Sequence, residues 1–250
     1  MKLLSFDIEL YDDLEGDNPD FSKIRPSIAA YCLDDLAVKY FDSAPGPMSK
    51  EVAQKLVLEM MDNYKKGIIP LTHNGLSFDF KVLAYVSDMF EECAFLALNH
   101  FDSMFLITCT KGYFLGLDTL LKGMGVESKL HTVTLNDGSI VNNFSGKQAP
   151  KFWRDGEINT VRYYLGGDVI QPMKMAWEIE KQNKMFWFSK TGKPQTLYTK
   201  LIPVKECFKI SKPDVSWMSN PPSRTDFITW MPPQVIEKEL NCNYADMMAL

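Results

Sequence analysis

Along the first third of the chain, short apolar runs alternate with polar breaks. Residues 2–8 (KLLSFDI) form an apolar run that closes on acids. The pattern predicts a buried strand with carboxylates at its C-terminal end. The polar, acidic stretch 11–25 follows and reads as a loop turning at Gly16-Asp17-Asn18-Pro19. Residues 27–33 (SIAAYCL) and 37–41 (AVKYF) predict two more strands, with Asp34-Asp35 as a hairpin turn between them. Over 51–66, apolar Val52, Leu56, Leu58, Met60 and Met61 fit an amphipathic helix, opened by Ser49 and stopped near Gly67. Residues 68–71 predict a fourth strand. Three strands, a helix and a strand give an α/β or α+β layout.

From Ser77 the periodicity turns helical, with candidate helices at 80–89, 101–108 and 117–124. Residues 130–144 are rich in Thr, Val, Asn and Gly, and Asn136-Asp137-Gly138 predicts a surface hairpin. A long helical stretch over 158–188 carries an interior Pro172, which should kink or divide it. Beyond Lys190 lie seven of the 14 prolines, with Trp217 and Trp230. That texture predicts an extended, mostly ordered tail with its aromatics packed on the body. Strand-like pieces stand at 196–201, 206–210 and 227–230.

Composition changes this picture little: 250 residues, 46% hydrophobic and 24% charged, are ordinary for a globular chain. No apolar run approaches the roughly 18–20 residues that span a bilayer, and the N-terminus lacks the pattern of a signal peptide. Five scattered cysteines without a CxxC read as buried thiols of a reducing cytoplasm. A formal charge of −5 argues against bulk electrostatic binding of nucleic acid. It leaves room for an acidic metal site, where a bound cation inverts the local charge logic.

Acids stand where three apolar elements begin or end. In Phe6-Asp7-Ile8-Glu9, residues two apart share a strand face, so Asp7 and Glu9 project side by side. Their repulsion calls for a reason, and a hard cation that prefers oxygen supplies one; an acidic loop at a strand end is the plainer reading. In Thr72-His73-Asn74-Gly75-Leu76-Ser77-Phe78-Asp79, a strand leads into a helix with Asp79 in its first turn. In Tyr163-Tyr164-Leu165-Gly166-Gly167-Asp168, Tyr164 and Asp168 share a helix face, and the glycine pair permits close approach of a strand or ligand.

Taken in order, the three segments resemble the motifs of the DEDD superfamily of 3′–5′ exonucleases, also called DnaQ-like, on the ribonuclease H-like fold. Asp7 and Glu9 match the DxE motif, and Asn74 with Phe78-Asp79 the second. Tyr164 and Asp168 match YxxxD, which marks the DEDDy branch. The likeness covers about residues 1–188 and is greatest to stand-alone relatives of the family-B polymerase exonuclease, through Leu117–Val126 (LDTLLKGMGV) as well. It implies a mixed sheet flanked by helices over 1–188, an α/β fold; 189–250 matches no motif of the family and reads, from its texture, as an irregular Pro/Trp-rich C-terminal extension packed on the domain.

The resemblance also implies a chemistry. Asp7, Glu9, Asp79 and Asp168 would bind two divalent cations, Mg²⁺ or Mn²⁺, for phosphodiester hydrolysis at the 3′ end of single-stranded DNA or RNA, with DNA favoured. Tyr164 would orient water, since a phenol near pKa 10 is a poor base at neutral pH. Asn74, or backbone near Gly75, would contact the terminal nucleotide. Phe78 reads as core, Asp102 as a helix N-terminal residue, and His73 and His100 as non-catalytic. Lys111, Lys122, Lys129 and His131 could form a modest basic rim for phosphates, although a solvated charged face is the plainer reading. An RNA-specific or structure-selective nuclease of the same fold, and a non-catalytic nucleic-acid-binding protein, remain open at this point; a cytoplasmic protein without membrane partners is expected in each case.

Overall fold

The computed structural model describes residues 1–14, 16 and 19–248. Of the expected early turn, Asp17 and Asn18 lie outside the described residues. The chain runs β1 (Lys2–Leu10), β2 (Pro26–Cys32), β3 (Val38–Asp42), α1 (Lys50–Lys65), β4 (Ile68–Thr72), α2 (Asp79–Ser87), α3 (Phe90–Asn99), β5 (Phe101–Asp102), α4 (Ser103–Lys111) and α5 (Leu117–Gly123). There follow β6 (Thr132–Thr134), β7 (Ile140–Asn142), α6 (Ala149–Arg154), α7 (Ile158–Gln182), β8 (Lys184–Phe188), β9 (Pro194–Tyr198), α8 (Val204–Cys207), α9 (Pro233–Leu240) and α10 (Tyr244–Met248).

The main sheet has the order β3-β2-β1-β4-β5. β1 and β2 pair antiparallel, as do β2 and β3, whereas β4 runs parallel to β1 and β5 parallel to β4. This mixed five-stranded sheet with helices on both faces is the ribonuclease H-like arrangement. β1 is central and covered on both sides, which is why Leu3, Leu4, Phe6 and Ile8 read as a nearly continuous apolar run. Two successive residues of β2 mark the faces. Tyr31 donates to Glu59 of α1 at 3.0 Å, while Cys32 donates to the Val169 carbonyl of α7 at 3.3 Å. Asp7 is paired with Ala30, two residues from Cys32, and so stands on the α7 face. Phe6 turns the other way and meets Phe80 of α2 at 5.6 Å.

Local signals account for the element ends. Ser49 caps α1 by accepting from the Val52 amide at 3.3 Å, and Gly67 leaves it at φ 78°. The hairpin of β6 and β7 turns at Asn136-Asp137-Gly138, as the composition predicts. The glycine pair in α7 serves close packing. A Cβ on Gly166 would stand 2.7 Å from the Tyr40 hydroxyl of β3, and one on Gly167 2.8 Å from Leu130 Cδ1.

Several expectations are corrected. The helical stretch expected over 158–188 ends at Gln182, where Asn183 takes φ 52°, and 184–188 is a strand paired with β9. Pro172 does not divide α7. α2 stops at Ser87, and a further helix, α3, follows it. Phe101 and Asp102 belong to β5, so α4 begins at Ser103. In the tail, 206–210 begins within α8 instead of forming a strand, and 225–228 is a 3-10 turn.

The tail packs on the body at specific points. Val204 donates its amide to the His100 carbonyl at 2.9 Å, and Arg224 reaches the Cys109 carbonyl at 2.7 Å. Phe208 and Phe227 stack against Phe105 at 5.1 and 5.0 Å, and Trp230 donates to the Leu76 carbonyl at 3.0 Å. Trp217 and Tyr198 depart from the expectation of packed aromatics, being 67% and 83% exposed. All five cysteines are free thiols, and no described helix is long and apolar enough to cross a membrane.

Candidate active site

The carboxylates of β1 meet α7. Oxygens of Asp7, Glu9 and Asp168 all lie within 4.8 Å of one another. The strand period puts Asp7 and Glu9 on the α7 face, and the four-residue spacing in α7 puts Tyr164 and Asp168 opposite them. Asp79, in the first turn of α2, joins from the other side of β1 and lines the same cleft, which has a volume of about 450 Å³. Asp7, Glu9, Asn74, Asp79, Tyr164 and Asp168 all line it. Gly75 does not. Its amide is donated to Thr72 Oγ1 at 2.9 Å, and a Cβ there would stand 2.4 Å from that oxygen.

Two of the four acids each keep an unsatisfied oxygen: Asp79 Oδ1 and Asp168 Oδ1 are buried without a hydrogen-bond partner. Burial pushes the Asp7 carboxyl well above the usual carboxylate range, and Asp79, Asp168 and Glu9 push it further. Burial, then Asp168, does the same to Glu9. Burial raises Asp79 to about 7 and also raises Asp168, with Lys129 pulling against it. A buried charge without a counter-ion is expensive, so such a cluster is stable only when protonated or cation-bound. An all-oxygen donor set with two unpartnered oxygens fits a hard divalent cation and offers no sulfur or nitrogen to a softer one.

Lys129 is a residue that the sequence pattern ranked too low. Its ammonium stands 2.8 Å from Asp168 Oδ2 and 5.5 Å from the centre of the Tyr164 ring. Burial would lower its pKa, but Asp168, Tyr164 and Asp7 together raise it. Nothing in the local sequence marks it; the entry to the β6–β7 hairpin carries it into the cleft. The other members of the expected basic rim are elsewhere. Lys122 pairs with Asp118 at 2.7 Å, His131 lies 3.7 Å from the same acid, and Lys111 donates to the Thr196 carbonyl at 3.5 Å. Lys147, exposed in the loop before α6, lines the cleft as well.

Tyr164 is 2% exposed, held edge-on by Phe144 at 4.8 Å. Burial, then the neighbouring Asp168, raises its pKa. Its phenol therefore stays protonated at neutral pH. Phe78 is half-buried: its ring meets Phe21 edge-on at 6.0 Å, yet it also lines the cleft.

The loop bearing Asn74 is held by Asp102. That buried carboxylate accepts from the Asn74 and Leu76 amides at 2.9 and 3.0 Å, and caps α4 through the Met104 and Phe105 amides, both at 3.0 Å. Burial alone would raise Asp102, but the His100 hydrogen bond and charge, with the backbone amides, bring it to about 2. Asn74 takes φ 81°, and its carbonyl Oδ1 accepts from the Ser77 hydroxyl at 2.6 Å. His73 lines the cleft, but both ring nitrogens are engaged, by Ser103 Oγ at 2.8 Å and the Leu115 carbonyl at 2.9 Å. Burial lowers it to about 4, so it stays neutral.

No protein-family profile and no curated protein matches the chain. Among solved structures, it is similar to the family B DNA polymerase of the hyperthermophilic archaeon Pyrobaculum calidifontis, with 16% identity and a TM-score of 0.48 over 72% of this chain and 24% of the polymerase. It is also similar to E. coli exonuclease I in complex with a dT13 oligonucleotide, with 10% identity and a TM-score of 0.34 over 72% of this chain and 40% of that one. The chain thus spans about a quarter of the polymerase and two fifths of the exonuclease.

Proposed function

We propose that the chain is a metal-dependent 3′–5′ exonuclease that hydrolyses the terminal phosphodiester of single-stranded nucleic acid, DNA in preference to RNA. The observation that carries this reading is the cleft in which Asp7, Glu9, Asp79 and Asp168 stand together, with two buried oxygens unpartnered. Those four residues would hold two divalent cations, Mg²⁺ or Mn²⁺, which when bound lower the pKa of water and offset charge on phosphate and leaving oxygens.

The protein's own groups supply the rest. Tyr164, kept neutral, donates its hydroxyl proton to orient the attacking water. Lys129 neutralises Asp168 when no other cation is near, and its ammonium is within reach of a phosphate oxygen. Asn74, its carbonyl oxygen fixed by Ser77, presents its amide NH₂ to the terminal nucleotide. The Gly75 amide is already donated within its own loop, so any contact there falls to Asn74. Residues 1–188 carry this chemistry and 189–250 brace it; the five free thiols suit a reducing, cytoplasmic setting.

The test uses single-stranded DNA and RNA, 5′-labelled, with Mg²⁺, Mn²⁺ or EDTA, resolved on a sequencing gel, with circular DNA as control. A ladder shortening from the 3′ end that EDTA abolishes is expected. Cleavage of the circle would move the assignment to an endonuclease, and no cleavage with either metal would leave a non-catalytic binding protein.

A further inference from the structure

The chain's acidity is unevenly distributed. Residues 190–224 hold seven Lys or Arg against two acids, a net charge of +5, which leaves −10 on the remainder of a chain of net −5. A basic segment on an acidic protein calls for a polyanionic partner.

Its position is equally specific. His73 lines the cleft and holds the Leu115 carbonyl at 2.9 Å, so the 113–116 loop rests on the cleft wall. The neighbouring Phe114 is 59% exposed although its ring lies 5.9 Å from Phe227 of the tail. Phe114 also lines a hollow of about 300 Å³ shared with Met218, Asn220, Pro221 and Asp226. On the far side of the Pro221-Pro222-Ser223 wall is a second cavity of about 390 Å³, bordered by Lys209, Lys212 and Arg224. Next to Met218, Trp217 stands 67% exposed, its indole nitrogen donating to the Asp214 carbonyl at 3.3 Å. The 113–116 loop thus links the side of the cleft at His73 to the hollow, and the hollow shares Pro221, Pro222 and Ser223 with the basic cavity.

We infer that these linked surfaces are a track for the single strand upstream of the cleaved end, with bases on Phe114 and Trp217 and phosphates on the lysines of the tail. The inference rests on the exonuclease reading. Sequence-tolerant binding of single strands combines exposed aromatic faces with a cationic path, and both are present here. Asn220 and Asp226 offer hydrogen bonds to base edges within the hollow. Lys209 pairs with Glu206 at 2.8 Å and Lys205 with Glu239 at 3.3 Å. The exposed Lys209 pair is worth little in water and exchanges readily for a phosphate.

Fluorescein-labelled dT20 in EDTA provides a test that needs no hydrolysis. Anisotropy is read across KCl concentrations for the wild type, for Phe114→Ala with Trp217→Ala, and for Lys209→Ala with Lys212→Ala. All four side chains are exposed, so Tm should hold. The aromatic pair should raise Kd by roughly 5- to 150-fold for each ring removed. The lysine pair should flatten the dependence of log K on log salt by about 0.7 for each phosphate that the variant no longer neutralises. Hydrolysis of a dinucleotide, which occupies the cleft alone, should be unchanged in both variants. Wild-type Kd and salt slope in both variants would overturn the track. A wild type that binds dT20 but never cuts it in Mg²⁺ or Mn²⁺ would refute the exonuclease and uphold the track, since the two readouts are separate.

Discussion

Asp79 and Asp102 are both buried acids at helix starts, and they differ in kind. Asp102 accepts four backbone amides and lies at about 2, with stability as its product. Asp79 keeps a buried oxygen without a partner and is raised by burial to about 7. Being buried therefore does not separate structural acids from functional ones. What separates them is whether the protein completes the acid's hydrogen bonds or leaves them for something else.

The comparison breaks most sharply under substitution. Asp7→Ala, Asp79→Ala and Asp168→Ala should each take exonuclease activity to background, while melting in EDTA stays level or rises because like charges are removed. An Asp168 variant with near-normal turnover would take the third motif out of the site. Asp102→Ala should do the reverse in stability. It strands buried amides and removes the charge that holds the Asn74 loop, at a cost of about 3–5 kcal/mol. Tm should fall by roughly 6–20 °C at this chain length; a drop below 2 °C would make Asp102 incidental.

Tyr164→Phe tests the middle of the range. It keeps the ring against Phe144 and removes one positioned hydrogen bond, so single-turnover hydrolysis should slow by about 10- to 1000-fold with metal affinity unchanged. An unaffected rate would return Tyr164 to the core. The smallest effect concerns pH. A carboxyl whose pKa is raised on folding binds more protons folded than unfolded, so its contribution falls as pH rises from about 4 to about 7. Asp102, lowered on folding, contributes above about 4 and loses that contribution as pH falls toward 2. In EDTA, Asp79→Asn should thus raise Tm at pH 8 by a few degrees and leave it nearly level at pH 4. A gain that is equal at both pH values would contradict the burial-driven shift.

The difference between the two acids also explains what the sequence could show. That Asp7 shares a face with Glu9, and Tyr164 with Asp168, was legible because β1 and α7 obey the strand and helix periods; that the two pairs belong to one site came from the resemblance of the ordered segments to a known family, since each alone read more plainly as ordinary. The β1–β4 and α1 elements were legible from apolar spacing and from Ser49 and Gly67. Lys129 was legible only as one member of a basic rim, because its place beside Asp168 depends on how a hairpin insert folds back, a tertiary fact without a local signal. The Gly75 amide was spent on Thr72 for the same reason. The error at 184–188 arose because Met185 and Trp187 are buried residues that suit a helix or a strand equally, and only the αL cap at Asn183 decides. In the tail, Pro232-Pro233 followed by Val235, Ile236 and Leu240 was a helix-start signal obscured by the overall proline content.

The central claim is that the four cleft acids are left incomplete for divalent cations. The most direct measurement is thermal unfolding of the wild type and Asp168→Ala in EDTA and in rising Mn²⁺ at pH 7.5. Binding to the folded chain alone stabilises it by about 2.7 kcal/mol at one hundred times Kd, so wild-type Tm should climb with Mn²⁺ by several degrees and then follow the logarithm of its concentration. Asp168→Ala should respond little to Mn²⁺, whatever its Tm in EDTA. A wild-type Tm indifferent to Mn²⁺, or an equal climb in both proteins, would contradict the account.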